Sequence, residues 1–219
     1  SSSACAYNKT KQQKVFIEGL KEEDAYPADP EDGYGWEKLF SERMCRHFME
    51  DYGIQVRVAR YHNIYGPYGT YDGGREKAPA ALCRKVLTAK KNNDNKIQVW
   101  GDGKQTRTFL YIDDCVEGTL RLFESDYSDP VNIGSDEQVS INQMIDIIEK
   151  ISGIEKLDRE YQLDKPKGVR GRSSNNELVK NVLNWSYGIK LKDGLTKTYN
   201  WIDSESSKEG SNLSRFIKS

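Results

Sequence analysis

The stretch GYGWEKLFSERMCRHFMEDYGIQVRVARYHNIYGP, residues 33–67, contains the two patterns that decide the fold. Apolar side chains recur at three- and four-residue steps over residues 39–52, which predicts a helix that begins near Trp36 and ends at Gly53. Residues 54–59 alternate between apolar and polar side chains, which predicts a strand. A helix that leads into a strand is the building unit of an α/β domain.

Strand and helix patterns continue to alternate along the rest of the chain. Strands are predicted at 97–100, 106–111 and 130–133, and helices at 78–89, 113–123, 140–151, 174–183 and 193–202. Residues 61–77 form a long glycine-containing loop, and a loop of that length in a compact domain is usually functional or disordered. The sequence therefore predicts an α/β fold.

Composition excludes several classes of function. The 219 residues carry 33 basic and 34 acidic side chains, so bulk charge gives no reason to expect a nucleic-acid partner. Four widely spaced cysteines without a C-x-x-C pair, together with two histidines, predict no metal site and fit a reducing compartment such as the cytoplasm. No apolar run reaches the roughly 18 residues that a membrane span requires. The low hydrophobic content, 36%, fits either a very polar surface or a fragment whose core is completed by other atoms.

Tyr34 and Lys38 form a Tyr-x-x-x-Lys pair at the predicted helix start. Side chains four residues apart lie on one helix face, and an ammonium beside a phenol favours the phenolate, which makes Tyr34 a candidate base for a sugar hydroxyl. A solvated helix face gives the same pattern. Upstream, the hydroxyls of residues 1–3 lie where a strand would end and can donate to a substrate oxygen.

Taken together, the motifs have a recognisable order. They are the serines of residues 1–3, Tyr34–Lys38, HNIYGP at 62–67, GDGKQTRTF at 101–109, YIDD at 111–114 and VNIG at 131–134. This order resembles the extended short-chain dehydrogenase family, the NAD-dependent epimerases and dehydratases of nucleotide sugars. The resemblance implies part of a Rossmann-type parallel sheet plus a smaller α/β substrate-binding domain, with NAD as cofactor. The glycine fingerprint G-x-G-x-x-G does not occur in this sequence.

Three further features resemble one group within the family, the GDP-mannose 3,5-epimerases. They are Cys5, GGREKAPAA at 73–81 and GVRGR at 168–172, and the similarity runs from Ser1 to about Ile202. The resemblance implies that a GDP-sugar is oxidised transiently at C4 by bound NAD, exchanges protons at C3 and C5, and is reduced again. GDP-mannose would thereby become GDP-galactose.

The resemblance also implies roles for individual residues. Tyr34 would accept the C4 hydroxyl proton, Lys38 would support it and hold the nicotinamide ribose, and Ser3 would hydrogen-bond the C4 oxygen. Cys5 and Lys77 would be the acid/base pair on opposite faces of the sugar. The implied substrate-binding residues are Ser3, Ala4, Cys5, Asn63, Glu76, Lys77, Ala78, Lys85, Gln105, Thr106, Arg107 and Arg170, and the implied cofactor-binding residues are Tyr34 and Lys38.

The predicted domains interleave along the chain. Residues 1–63 and 104–133 are assigned to the Rossmann-type domain, residues 64–103 and 134–205 to the substrate domain, and residues 206–219 to a polar tail. The missing fingerprint predicts a complementing N-terminal NAD-binding chain or segment, and the family implies a homodimer or larger assembly through residues 39–48. Two alternatives stay open: a catalytically silent or split chain acting as a structural subunit, in an organelle assembly for example, and a 4-epimerase or dehydratase of another nucleotide sugar.

Overall fold

The computed structural model describes residues 1–165 and 168–208, so the predicted tail lies outside the described residues from residue 209 onward. The regular elements, in chain order, are β1 (Ser2–Ser3), α1 (Gly33–Tyr52), β2 (Ala59–Tyr61), β3 (Ile64–Tyr65), α2 (Ala78–Asn92), β4 (Lys96–Trp100), β5 (Thr106–Arg107), β6 (Leu110–Tyr111), α3 (Ile112–Glu124), β7 (Val131–Ile133), β8 (Val139–Ser140), α4 (Ile141–Ser152), β9 (Asp158–Gln162), α5 (Glu177–Leu183) and α6 (Leu191–Ser206). Two compact units divide this chain between them.

The first unit comprises Ser1–Ile64, Thr106–Gln138 and Val169–Gly188. Within the described residues its central sheet is parallel, in the order β1-β2-β7, so β1 lies at an edge. Helices α3 and α5 cover this sheet with a buried apolar cluster that includes Leu110, Cys115, Leu122, Val131, Ile133, Val179, Leu183 and Trp185. The fold therefore has the α/β class and the parallel sheet that the sequence predicts.

Helix α1 begins three residues before the predicted start at Trp36, because Asp32 caps it. The Asp32 carboxylate accepts a hydrogen bond of 2.8 Å from the Gly35 N–H, which satisfies one of the free donors of the first turn. Gly53 ends the helix in the left-handed region, at φ 66°. Leu39 packs into the unit, whereas the apolar side chains on the opposite face, Phe40, Met44, Phe48 and Tyr52, are exposed.

The second unit comprises Tyr65–Gln105, Val139–Gly168 and the segment from Ile189 onward. Helices α2, α4 and α6 pack on one another, and strands β4 and β9 form a parallel pair. Helix α4 begins where the sequence predicts: the Ser140 hydroxyl accepts from the Gln143 N–H while the Gln143 side chain accepts from the Ser140 N–H. None of the helices in the described ranges has the length and apolar character needed to cross a bilayer.

Several predicted element boundaries are wrong. The strand predicted at 54–59 overlaps the observed β2 only at Ala59, because β2 is formed by Ala59–Tyr61, which pair with Val131–Ile133. Residues 54–57 join no ladder within the part of the chain that the structure describes. The predicted strand 106–111 is split into β5 and β6, which pair with different strands. Strand β9 was not predicted, because its sequence, DREYQ, is polar and most of its side chains are exposed.

The predicted domain boundary also differs from the observed division. Residues 169–188, which the sequence assigned to the substrate domain, belong to the first unit. The reason is packing: α5 lies against β7, and Val179, Leu183 and Trp185 join the same buried cluster as Ile133. Gly118 on α3 allows the Trp185 ring to approach this helix, since a Cβ at Gly118 would lie 2.9 Å from the ring.

Candidate active site

The predicted catalytic residues of the first unit gather where parallel strands end. Ser3 is the last residue of β1, and Asn63 follows β2, the neighbouring strand. Because the carboxyl ends of parallel strands open on the same edge of a sheet, this edge is where α/β folds bind ligands. The position of these residues therefore meets the first requirement of a binding site.

Ser3 caps the short 3-10 helix Ala4–Ala6 that carries Cys5. Its hydroxyl oxygen accepts a hydrogen bond of 3.2 Å from the Cys5 N–H, which leaves the hydroxyl proton available to donate to another oxygen. Ala4, by contrast, is buried in an apolar cluster with Leu39 of α1, so its side chain serves packing. The hydrogen bond from Cys5 to Ser3 and the packing of Ala4 thus fix the position of Cys5.

Gly35 brings α1 against the turn that carries Cys5. A Cβ at Gly35 would clash with the Cys5 carbonyl oxygen and lie 2.8 Å from the Pro30 Cβ, closer than Cβ atoms pack in proteins. Tyr34, which precedes it, is 51% exposed and therefore open to a ligand. The Lys38 Nζ lies 5.4 Å from the centre of the Tyr34 ring, as the four-residue spacing predicts, and 3.5 Å from the Glu37 carboxylate.

One guanidinium group contacts the Cys5 sulfur, and a second interacts with Cys5 electrostatically. Arg172 Nη1 donates to Cys5 Sγ at 3.3 Å, and its Nε donates to the Gln12 Oε1 at 2.6 Å. Burial, and after it the charge of Arg172, lower the pKa of the Arg107 guanidinium to about 10, although Glu31 and Cys5 act in the opposite direction. This part of the site is therefore strongly cationic, which suits anions and anionic intermediates.

Other predicted ligand residues of the first unit support the backbone. The Thr106 hydroxyl is fully buried and donates to the Val15 carbonyl, and the Asn63 amide donates to the Thr108 carbonyl at 2.9 Å. The Arg170 N–H donates to the Gln12 carbonyl at 2.9 Å, and its side chain is partly exposed. In this structure Thr106 and Asn63 hold the loops that carry Arg107 and Arg170.

The second unit holds the remaining predicted residues. Lys77 is exposed at the cap position of α2, and Ala78 is the first residue of that helix. The Glu76 carboxylate accepts hydrogen bonds from Arg84 at 2.9 Å and from the Gly74 N–H at 2.7 Å. Partial burial disfavours its charged form, but the hydrogen bonds, including one from its own backbone, outweigh this and lower the pKa of Glu76.

Lys85 and Gln105 have partners of their own within the second unit. Burial lowers the pKa of Lys85, and its ammonium donates to the Gln98 carbonyl at 2.9 Å and lies 6.0 Å from the centre of the Trp100 ring. The Gln105 Nε2 donates to the Trp100 carbonyl at 3.1 Å, while among the described residues nothing hydrogen-bonds to its buried Oε1. Lys85 and Gln105 are therefore both anchored to the backbone of β4.

Sequence reasoning missed two residues of this site, Arg172 and Gln12. Arg172 belongs to the quoted GVRGR segment, but only Arg170 was assigned a role. In an extended segment, alternate side chains lie on one face, so the Arg-x-Arg spacing was the available signal that Arg172 deserved a role beside Arg170. Nothing in the sequence marks Gln12, which lies 160 positions from its partner Arg172.

Behind the site lies a buried polar network. His62 is fully buried, and its Nε2 donates to the Asn132 Oδ1 at 2.9 Å, which also accepts from the Tyr7 hydroxyl at 2.6 Å. Burial lowers the pKa of His62 to about 3, so it stays neutral. Two of the other cysteines, Cys83 and Cys115, are buried, whereas Cys45 is partly exposed on α1.

Residues 1–134 match the model of the NAD dependent epimerase/dehydratase family. The chain belongs to this family. It is 52% identical over 212 residues to GDP-mannose 3,5-epimerase 1 of Oryza sativa subsp. japonica, covering 95% of this chain and 53% of that protein. It is 50% identical over 219 residues to GDP-mannose 3,5-epimerase of Arabidopsis thaliana, covering 99% of this chain and 56% of that protein. The chain therefore spans about half the length of these relatives.

Solved structures of the family share the fold. The UDP-glucuronic acid 4-epimerase of Bacillus cereus, in complex with UDP-glucuronic acid and NAD, superposes with a TM-score of 0.77 at 29% identity, covering 93% of this chain and 60% of that one. The UDP-glucose 4-epimerase of Thermotoga maritima superposes with a TM-score of 0.79 at 25% identity, covering 93% of this chain and 62% of that one. This chain is thus a homologue of GDP-mannose 3,5-epimerases within the family.

Proposed function

We propose that this chain provides the sugar-binding and proton-transfer part of a GDP-mannose 3,5-epimerase. The observation that carries the proposal is the joint placement of Ser3 and Cys5 at the end of β1, with α1, the helix of Tyr34 and Lys38, packed against the Cys5 turn through Gly35. The identity of 50–52% with GDP-mannose 3,5-epimerases supports this substrate class over the UDP-sugar enzymes, which are more distant, such as a UDP-glucuronate 4-epimerase at 31%.

NAD, when bound, supplies a reversible hydride acceptor for C4 of the hexose. Tyr34 and Lys38 are the residues of this chain that would hold it, and the half-exposed phenol of Tyr34 leaves that side open. Because the sequence lacks the glycine fingerprint, we propose that a complementing NAD-binding segment or chain supplies the rest of the cofactor site, next to β1 at the sheet edge.

The roles proposed for the proton transfers come from the family resemblance, and the chemistry of the side chains is compatible with them. Tyr34 accepts the proton of the C4 hydroxyl while the Ser3 hydroxyl donates to the same oxygen. With a ketone at C4, the C–H bonds at C3 and C5 become acidic. Cys5 as a thiolate removes one such proton, and the Lys77 ammonium returns a proton from the opposite face, which inverts the carbon. Arg107 and Arg170 bind the diphosphate through charge-assisted hydrogen bonds, each worth about 1.5–3 kcal/mol.

Isotope exchange tests this assignment. The protein is incubated with GDP-mannose and NAD in D2O, and deuterium at each sugar carbon is read by NMR, with UDP-glucuronic acid as the control substrate. We expect deuterium at C3 and C5 of the GDP-sugar, and we expect Cys5→Ala to abolish it while hydride transfer at C4 continues. Exchange at the normal rate in Cys5→Ala would refute the role of Cys5, and turnover of UDP-glucuronic acid instead would refute the substrate class.

A second candidate function is structural. A chain in which β1 lies at a sheet edge and α1 exposes Phe40, Phe48 and Tyr52 has surfaces suited to assembly with another copy or another subunit. Native mass spectrometry separates the two functions. A complex that retains one NAD for each copy of this chain supports the epimerase, whereas an assembly that never retains NAD and never turns over GDP-mannose supports the structural role.

A further inference from the structure

Arg172 is a buried arginine that the proposed reaction does not use. Its side chain lies between two partners of the first unit, the Cys5 sulfur at 3.3 Å from Nη1 and the Gln12 side-chain oxygen at 2.6 Å from Nε, and only 8% of the residue is exposed. The contact to sulfur is the one that matters, because Cys5 is the residue proposed to remove a proton from the sugar.

The backbone holds Arg172 in this position. The Arg172 N–H donates to the Thr106 carbonyl at 3.1 Å, and the Gly171 N–H donates to the Gln12 carbonyl at 3.1 Å. Gly171 itself allows the close approach, since a Cβ there would lie 2.6 Å from the Val15 carbonyl oxygen. Arg172 is therefore presented by a fixed strand-like segment, so its guanidinium is already oriented before any ligand binds.

The guanidinium is oriented by a neutral group. The Gln12 Oε1 accepts from Arg172, while the Gln12 Nε2 points the other way, 3.3 Å from the Asn8 carbonyl and 3.4 Å from the Tyr7 carbonyl. In the part of the chain that the structure describes, no carboxylate forms an ion pair with Arg172. A buried cation without an anion is costly, and a thiolate at Cys5 is the anion that this geometry accommodates.

We propose that Arg172 is a positioning residue that holds the Cys5 sulfur in place and stabilises its thiolate form. Arg172 would act through Cys5 and need not touch the sugar. The relevance to epimerisation rests on the proposed function, but the effect on the thiol does not. Among the described residues, the charged groups near Cys5 include Arg172, which contacts the sulfur, and Arg107, which interacts electrostatically with Cys5 and Glu31. Helix α1, which carries Tyr34 and Lys38, packs against the Cys5 turn at Gly35.

Alkylation of Cys5 measures the proposed effect directly, because a thiolate reacts with iodoacetamide and a thiol does not. The reagent is neutral, so a change in protein charge does not alter its approach. The rate at Cys5 is followed by peptide mass spectrometry from pH 5 to pH 9 in the wild type and in Arg172→Gln. The buried Cys115 in the same unit reports on folding, since it reacts only if the unit opens.

We expect Arg172→Gln to slow Cys5 alkylation at pH 7 about tenfold or more, because the variant removes the cation that contacts the sulfur. Arg172→Lys should give an intermediate rate, because it keeps the charge but loses the planar fork that engages Gln12 and Cys5 together. Arg121→Gln is the matched control: Arg121 lies exposed on α3 beside Glu117, and its removal should leave the Cys5 rate unchanged.

A wild-type alkylation profile in Arg172→Gln, with Cys115 protected, would overturn the proposal. If Arg172→Gln exposes Cys115, the variant Gln12→Glu is tested instead. A carboxylate at residue 12 would pair with the Arg172 guanidinium and compete with the Cys5 thiolate, so we expect slower alkylation of Cys5. An unchanged rate would overturn the proposal. The outcomes stay separable from the proposed function, because slowed alkylation in Arg172→Gln, together with no deuterium exchange by a wild-type assembly that retains NAD, refutes the epimerase and leaves Arg172 in its role.

Discussion

Removing the Glu42 carboxylate should be among the most damaging single changes to this protein. Glu42 on α1 accepts hydrogen bonds from Ser2 of β1 at 2.5 Å and from Arg60 of β2 at 2.9 and 2.7 Å. The side chains of Glu42 and Arg60 are only 5% and 2% exposed. The pair therefore ties the helix of Tyr34 to the two strands whose ends carry Ser3 and Asn63.

The magnitude follows from what Glu42→Ala leaves behind. Burial disfavours the Arg60 cation, but its hydrogen bonds to the Glu42 carboxylate and the nearby negative charge outweigh this and raise the pKa of Arg60. An arginine guanidinium is not deprotonated in proteins, so Arg60 stays charged when Glu42 is removed. Without Glu42 it keeps a hydrogen bond to the Glu22 carbonyl and its contact with the Tyr7 ring. Breaking a buried ion pair in this way costs about 3–5 kcal/mol.

Urea unfolding followed by circular dichroism checks this value. For a slope of about 2 kcal/mol per molar urea, the midpoint should fall by about 1.5–2.5 M. Glu50→Ala, on the same helix but at an exposed pair with Arg46, is the matched control and should leave the midpoint unchanged. Glu42→Leu combined with Arg60→Met should lose less stability than Glu42→Ala alone, because it leaves no unpaired charge. Equal midpoints for Glu42→Ala and Glu50→Ala would refute the reasoning.

Two further predictions concern His62 and Gly35. The folded-state pKa of His62, about 3, lies below its ordinary value of 6.5, so the unfolded chain binds the proton first as the pH falls. The free energy of unfolding should therefore decrease below about pH 6.5, by up to about 1.4 kcal/mol per pH unit from this group. His62→Gln should flatten the pH dependence of unfolding over this range, and an unchanged slope would contradict the assignment. Gly35→Ala should push the Cys5 turn away from α1 and lower Cys5-dependent deuterium exchange. Gly33→Ala is the control and should lower the exchange less, since no atom lies within 4 Å of a Cβ at Gly33. Equal exchange in the two variants would show that the α1 contact does not position Cys5.

The local features of the chain could be predicted because they depend on neighbouring residues. The three- and four-residue periodicity of α1, the glycine that ends it, the Ser140 cap of α4 and the Tyr34–Lys38 spacing all act within one or two turns. The α/β class followed from the alternation of such segments. The roles of Ser3, Cys5 and Lys77 came from the family resemblance and remain predictions until exchange is measured.

The sequence by itself thus determined the class of fold, most helices and the family, because each rests on local periodicity or on motif order. Only the tertiary structure decided which residues share a site. Arg172 reaches Cys5 across 167 positions, and Glu42 meets Arg60 across 18, through a helix and a strand whose packing no local pattern encodes. It also assigned residues 169–188 to the first unit, because burial of Val179 and Leu183 against β7 outweighed their position in the chain. Such contacts form when apolar area leaves water, and that depends on the whole fold rather than on any segment.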